Sequence, residues 1–165
     1  KVQNIGGKPA LLCIYGTSGS VQREAPAGQA CRAIPGGFQC QASGGAAPRT
    51  AATGGLDIPQ TYMFDLDRGG VTQAGADFWF QAETASLLYL VPRNGARIGV
   101  GNRSNRGAAG CAAARFTTDR VSLRDIPVGS YVCVRTNEGR ISQFRVNAIS
   151  GGSPKTLSIG FTTWQ

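Results

Sequence analysis

The sequence predicts an all-β fold, an antiparallel β-sandwich or a Greek-key barrel of about a dozen short strands. Glycine occupies 24 of 165 positions, about twice the usual share, which is typical of many tight turns. Short segments with alternating apolar and polar residues recur along the chain between these turns. Helix has little support, since residues 81–90 could form at most one turn.

The clearest element is a β-hairpin over residues 131–144. Its first arm, Tyr-Val-Cys-Val-Arg-Thr, consists mostly of residue types that suit a pleated sheet. Asn137-Glu138-Gly139 then supplies residues that tolerate positive φ, and Ile141 and Phe144 resume an extended pattern.

Three regions are expected from the N-terminus onward. Residues 1–42 read as an N-terminal β-hairpin segment, with strands at 2–5, 10–15, 20–24 and 37–42. Residues 43–55, rich in Gly and Ala and without large apolar side chains, predict a linker or long surface loop. Residues 56–165 are expected to form the main β-sandwich domain.

Within the main domain, Tyr62, Phe64 and Leu66 alternate with polar positions, as in a strand with one buried face. Trp79 stands between two phenylalanines and should face the opposite side of its sheet from both. Asn94-Gly95 predicts a hairpin turn that joins residues 87–91 to a partner strand at 96–100. Further strands are expected at 111–115, 120–123, 131–136, 140–149 and 156–164.

Five cysteines occur without any histidine and without a Cys-x-x-Cys pair, so disulfides are a simpler interpretation than metal binding. Disulfides predict an oxidising compartment, and we expect a secreted protein, extracellular or on a cell surface. The preferred bridge is Cys111–Cys133, because both lie in segments that read as strands. Cys31–Cys40 is a further candidate, and Cys13 is left unpaired or takes an alternative partner.

The net charge of +8 comes from fourteen Arg and three Lys against nine acidic residues. Such a surface attracts anions, and an anionic polymer or glycan is the predicted partner. Nucleic acid is a less favoured partner. The alternative is that the basic composition serves no specific partner. No stretch approaches the length of a membrane span. The chain begins without a signal-peptide pattern, so we expect a mature form whose leader was removed.

A set of motifs resembles a β-rich module found in bacterial secreted and surface proteins. The resemblance covers residues 60–165 and lies in Phe64-Asp65-Leu66-Asp67-x-Gly, Ala76-Asp77-Phe78-Trp79-Phe80, Pro92-x-Asn94-Gly95-Ala96, residues 132–140 (Val-Cys-Val-Arg-Thr-Asn-Glu-Gly-Arg) and the terminal Trp164. It implies a β-rich fold and an extracellular location. No activity is assigned to that module, so the resemblance implies no catalytic residues.

The absence of histidine excludes nucleophilic catalysis of the Ser-His-Asp or Cys-His kind, unless a lysine served as base. Paired carboxylates remain an enzymatic option, with Asp65 and Asp67 on one strand face, or Asp77 and Glu83 beside Trp79. Ordinary surface ion pairs explain these acids more simply. Residues 65–69 also resemble a fragment of a calcium loop, but fewer than half of the expected ligands are present. We therefore predict no enzyme, no metal and no cofactor.

The predicted function is binding of an anionic or glycan surface, such as a cell envelope or extracellular polymer. Arg93, Arg97, Arg103 and Arg106 crowd a turn and the loop after it, and are the predicted anion contacts. Trp79 and Trp164 are the candidates for stacking on sugars, although most aromatic residues of a sandwich lie in its core. The alternative is a self-assembling subunit of an extracellular fibre or surface layer, in which the N-terminal strand contacts a second copy.

Overall fold

A computed structural model describes residues 48–165 with their side chains and, before them, the backbone of five strands within residues 2–42. The chain forms two units, Lys1–Ala47 and Pro48–Gln165. Each unit is described by itself.

The first unit contains a three-stranded antiparallel sheet and a separate two-stranded pair. The sheet has the order β1-β2-β3, and the pair is β4-β5; their bounds are β1 Val2–Ile5, β2 Lys8–Tyr15, β3 Gly19–Glu24, β4 Gln29–Ile34 and β5 Gly37–Ala42. Cys31 and Cys40 are direct register partners across β4 and β5. The side chains of Cys13, Cys31 and Cys40 lie outside the described residues, so their pairing stays a prediction.

The second unit is an antiparallel β-sandwich of two five-stranded sheets, which confirms the predicted fold class. Sheet I has the order β12-β10-β9-β7-β8, and its strands are β7 Met63–Asp65, β8 Gly70–Val71, β9 Phe78–Ala82, β10 Leu88–Pro92 and β12 Val121–Ser122. Sheet II has the order β11-β13-β14-β15-β6, and its strands are β6 Thr50–Pro59, β11 Arg97–Gly99, β13 Tyr131–Arg135, β14 Ile141–Ser150 and β15 Thr156–Trp164.

The core lies between the two sheets and is built from alternate residues of each strand. Phe78 and Phe80 of sheet I are fully buried, whereas Trp79 between them is only half-buried, which confirms the predicted alternation. From sheet II, Val132 and Phe144 are likewise fully buried and belong to the same core. Burying one such large apolar side chain contributes about 1.5–3 kcal/mol, so this two-sided face is the main source of stability.

The hairpin predicted over residues 131–144 is present. β13 and β14 pair in register from Tyr131–Arg145 to Arg135–Ile141. Gly139 closes the turn at φ 84°, a left-handed conformation that costs glycine little and other residues more.

Three local predictions were wrong. Residues 111–115 do not form a strand, because Cys111 lies in the short helix α1, Gly107–Ala112. Residues 50–55 do not form a loop, because β6 pairs with β15 from Thr50 to Pro59. The Asn94–Gly95 turn exists, but it is not a hairpin turn, since β10 belongs to sheet I and β11 to sheet II. For residues 50–55 and 97–99, pairing with a distant strand outweighed the local pattern. Cys111 is instead held by its disulfide to Cys133.

Among the residues that the structure describes, no helix is long and apolar enough to cross a bilayer.

Candidate functional site

The outer face of sheet II, opposite the core, carries a groove of about 410 Å³. The register places Tyr131, Arg145 and Gly160 in one row across β13, β14 and β15, and Gln143 and Thr162 in the next row. Their neighbours along each strand face the core, so these side chains project outward. The groove is lined by Thr53, Asn105, Tyr131, Gln143, Arg145, Thr162 and Trp164, together with Phe161 and the backbone of Gly54, Gly107 and Gly160.

One wall of the groove is the segment that leads into α1. The disulfide Cys111–Cys133, with Cα atoms 5.2 Å apart, fixes α1 to the outer face of β13 and confirms the predicted bridge. Gln143 holds the same segment from β14, since its Oε1 accepts hydrogen bonds from the backbone N–H groups of Arg106 (2.8 Å) and Gly107 (3.2 Å). Its Nε2 donates to Asn105 Oδ1 at 2.8 Å. The buried Gln143 amide therefore positions the wall, and one hydrogen of its Nε2 is left without a partner among the described residues.

Within the described part of the chain, Arg145 is the one cation that lines the groove. Its Nη1 donates to Asn147 Oδ1 at 2.8 Å, and its guanidinium lies 6.0 Å from the centroid of the Tyr131 ring. Arg145 is exposed, and both contacts lie at the surface. Among the described residues its Nε and Nη2 have no hydrogen-bond partner. A guanidinium with free donors suits a carboxylate or sulfate group.

No aspartate or glutamate of residues 48–165 lines the groove. The polar groups beside Arg145 are hydroxyls and amides, including Thr53, Thr162 and Asn105, whose Nδ2 has no partner among the described residues. The half-buried Trp164, at the end of β15, and Tyr131 add aromatic surface. Groups of this kind bind sugar hydroxyls and apolar ring faces, and the single positive charge favours an anion.

The four predicted anion-contact arginines do not line this groove. The guanidinium of Arg106 is used internally, because Nη2 donates to the carbonyls of Gly99 (2.7 Å) and Val100 (3.1 Å). Arg93 lies over the ring of Trp79, 5.1 Å from its centroid. Arg97 and Arg103 are exposed, the first at the start of β11 and the second in the loop after it.

Of the two tryptophans predicted to stack on sugars, only Trp164 lies in the groove. Trp79 belongs to sheet I, and its Nε1 donates to the carbonyl of Thr61 at 2.9 Å. Sequence reasoning missed Arg145, Gln143 and Asn105 as groove residues. A signal for the first two was present, because strict alternation along β14 places Gln143 and Arg145 on the face opposite Phe144.

The carboxylates were expected as two pairs, Asp65 with Asp67 and Asp77 with Glu83, but the structure groups three of them and leaves Glu83 out. Asp65, Asp67 and Asp77 converge and are buried, but Asp67 lies in the turn after β7 and not on the strand. Glu83 is not near them in a common site, since it forms an exposed ion pair with Arg120 at 2.7 Å. None of these carboxylates lines the groove.

Burial raises the pKa of Asp77 to about 6 from its ordinary value of 3.8. Backbone N–H groups of Asn137 and Leu66, each 2.7 Å from an Asp77 oxygen, oppose this rise because they stabilise the ionised form. The negative charges of Asp67 and Asp65 add to it.

Comparisons of this chain with models of known protein families, with curated proteins and with solved structures found no match.

Proposed function

We propose that this chain is a secreted, non-catalytic β-domain that binds an anionic or glycan surface through the outer-face groove of sheet II. The observation that carries the proposal is the composition of the groove. Among the described residues, Arg145, aromatic rings that include Tyr131 and Trp164, and the free Nδ2 of Asn105 line it, and no carboxylate does. The hydroxyls of Thr53 and Thr162 bond to each other. The groove volume of about 410 Å³ is within the range of small-ligand sites.

Two further features support the proposal. The disulfide Cys111–Cys133 is typical of proteins that mature in an oxidising compartment, which favours secretion. The chain has no histidine, and its clustered carboxylates lie outside the groove, which favours binding without turnover. The resemblance of residues 60–165 to a module of bacterial secreted proteins suggests a cell envelope or an extracellular polymer as the location of the ligand.

The test is a comparison of acidic and neutral polymers, with heparin and polygalacturonate against cellulose and chitin. We expect saturable, salt-dependent binding to an acidic polymer. Arg145→Gln removes one charge-assisted contact, worth about 1.5–3 kcal/mol, and should weaken binding about 10-fold or more. Arg124→Gln is the matched control, since Arg124 is exposed outside the groove and its loss changes the net charge equally.

The outcomes separate specific binding from general attraction. Equal, small effects of Arg145→Gln and Arg124→Gln would mean that net charge alone attracts the polymer, and the groove proposal would then fail. A larger effect of Arg93→Gln with Arg97→Gln would instead favour the arginines predicted from sequence. Binding to neutral polymers alone would contradict the role of Arg145.

Self-assembly remains the second candidate, and one observation favours it. β6 is the last strand of sheet II within the second unit and is ten residues long, so it could accept a strand from another copy. The proposed donor, residues 1–15, includes β1 and β2, which pair with each other in the first unit. Size-exclusion chromatography with and without residues 1–15 tests this candidate: oligomers that are lost on truncation would support it, and a monomer at all concentrations would exclude it.

A further inference from the structure

A buried cluster of three carboxylates lies outside the groove and has no role in the proposed function. Asp65, Asp67 and Asp77 each place one oxygen within 4.8 Å of the other two. Their exposed fractions are 4%, 7% and 0%. They come from different segments, the end of β7, the turn after it and the residue before β9, and the β13–β14 turn contacts them from sheet II.

The hydrogen bonds of this cluster leave specific oxygen atoms without a partner. Asp67 Oδ1 accepts from Thr136 Oγ1 (2.9 Å) and Arg140 Nη1 (3.0 Å), whereas Asp67 Oδ2 is buried and accepts no hydrogen bond from the described part of the chain. The side chain of Asp67 is 1% exposed. A buried carboxylate oxygen without any donor is costly and uncommon in folded proteins, so it indicates a missing partner.

A second buried oxygen, the Oδ1 of Asn137, also lacks a hydrogen-bond partner among the described residues. The backbone N–H of Asn137 donates to Asp77 Oδ1 at 2.7 Å, which fixes this residue against the carboxylates. Its Nδ2 donates to the carbonyl of Gly75 at 2.7 Å, while its Oδ1 is buried and has no hydrogen-bond partner within residues 48–165. This oxygen is a neutral acceptor and is not part of the acidic cluster, so it is an independent sign of a missing partner.

Among the described residues, one cation forms an ion pair with the cluster. Arg140 does so through Asp67, and the same nitrogen also contacts Glu138. The buried Asp65 and Asp77 form no ion pair with a described residue. Buried charge without compensation is strongly unfavourable, and a cation is the partner that satisfies both the charge and the free oxygens.

We propose that Asp65, Asp67 and Asp77 form a calcium site, with Asn137 Oδ1 as a further ligand. Calcium takes six to eight oxygen ligands at 2.3–2.6 Å and accepts both carboxylates and amide carbonyls in irregular arrangements. Two oxygens on one such ion can lie up to about 5 Å apart, which agrees with the 4.8 Å limit within the cluster. Water would complete the coordination.

The site would connect both sheets, because Asp65 belongs to sheet I and Asn137 lies two residues after the end of β13 in sheet II. The sequence motif at residues 65–69 held too few ligands to predict a metal. The structure supplies the others from positions 77 and 137, which local spacing cannot reveal.

The test uses the full chain after treatment with EDTA and dialysis. Isothermal titration with CaCl₂ should give one saturable site per chain, and MgCl₂ or NaCl at matched ionic strength should not. Calcium at 100 times its Kd should raise the folding equilibrium constant about 100-fold, which corresponds to an increase in Tm of roughly 5–10 °C. If calcium gives no saturable heat and no change in Tm, the proposal is wrong, and a shared proton must offset the charge instead.

The location of the site is tested in two ways. Asp65→Asn and Asp67→Asn should abolish calcium binding, whereas Asp119→Asn, which changes an exposed carboxylate elsewhere, should not. If a cluster variant fails to fold, NMR spectra of the wild-type chain decide the question without it. Calcium should shift the amide signals of Leu66, Asp67 and Asn137, which donate to the cluster, and saturable binding that leaves these signals unchanged would contradict the proposal.

Discussion

Removal of the Cys111–Cys133 bridge should release α1 from the outer face of sheet II. The helix has only six residues, with no side-chain cap and no acidic residue in its first turn. Isolated helices of that length are not stable in water, so tertiary contacts must hold it. Those contacts are the disulfide and the hydrogen bonds to Gln143.

The magnitude follows from the length of the closed loop. The two cysteines are separated by 22 positions, and the loss of such a cross-link stabilises the unfolded chain by about 3 kcal/mol through loop entropy. We therefore expect the double variant Cys111→Ala, Cys133→Ala to lose about 3 kcal/mol of unfolding free energy. It should also lose binding of the acidic polymer, because the wall that contains Asn105 and Gly107 would no longer be fixed.

Two assays check this prediction. Urea unfolding of the wild-type chain and of the double variant gives the difference in unfolding free energy. Hydrogen exchange of the amides of residues 107–112 reports α1 directly, and it should accelerate in the variant. A loss below about 1 kcal/mol with slow exchange in residues 107–112 would refute the reasoning, since the bonds to Gln143 would then suffice to hold the helix.

Two other predictions concern stability. Because the pKa of Asp77 is raised to about 6, its stabilising contribution is fully present below pH 3.8 and is lost as the pH rises through 6. Between pH 3.8 and pH 6, with divalent cations chelated, the unfolding free energy of the wild-type chain should therefore fall by about 3 kcal/mol relative to that of Asp77→Asn. Urea unfolding at several pH values measures both free energies. If they change with pH in parallel, the prediction is contradicted. Gly69→Ala should cost about 2–4 kcal/mol of unfolding free energy, since the φ of Gly69 is +73° and a Cβ would lie 2.7 Å from Phe161. Gly75→Ala is the control: its φ is +68° with open space around it, and it should cost only about 1–2 kcal/mol. Equal losses would show that the clash with Phe161 contributes nothing.

The sequence was sufficient for the fold class because strand pattern and turn chemistry are local. Alternation in β9 and β13 identifies buried faces directly, and Asn137–Gly139 marks its own turn. It was not sufficient for β6, whose Gly54-Gly55 pair is typical of a loop and is extended only because it pairs with β15. It also failed for α1, because two glycines offset the helical propensity of its three alanines and six residues are too few to show a helical pattern.

The candidate site was predicted only in part. Trp164, a predicted stacking residue, lines the groove, whereas Arg145 was not among the predicted anion contacts, because the run of arginines at residues 93–106 was the stronger local pattern. The structure uses Arg106 of that run to bind backbone carbonyls. The groove itself depends on which strands are neighbours in sheet II and on where the disulfide holds α1, and neither can be derived from residue spacing.

The most direct measurement of groove binding uses the fluorescence of the two tryptophans, since only Trp164 lines the groove. Trp79→Phe leaves Trp164 as the single reporter, and Trp164→Phe leaves Trp79. On titration with a heparin-derived hexasaccharide, we expect a saturable change in emission in the first variant and none in the second. A change in the Trp79 reporter alone, or no change in either variant, would contradict the assignment of the groove as the binding site.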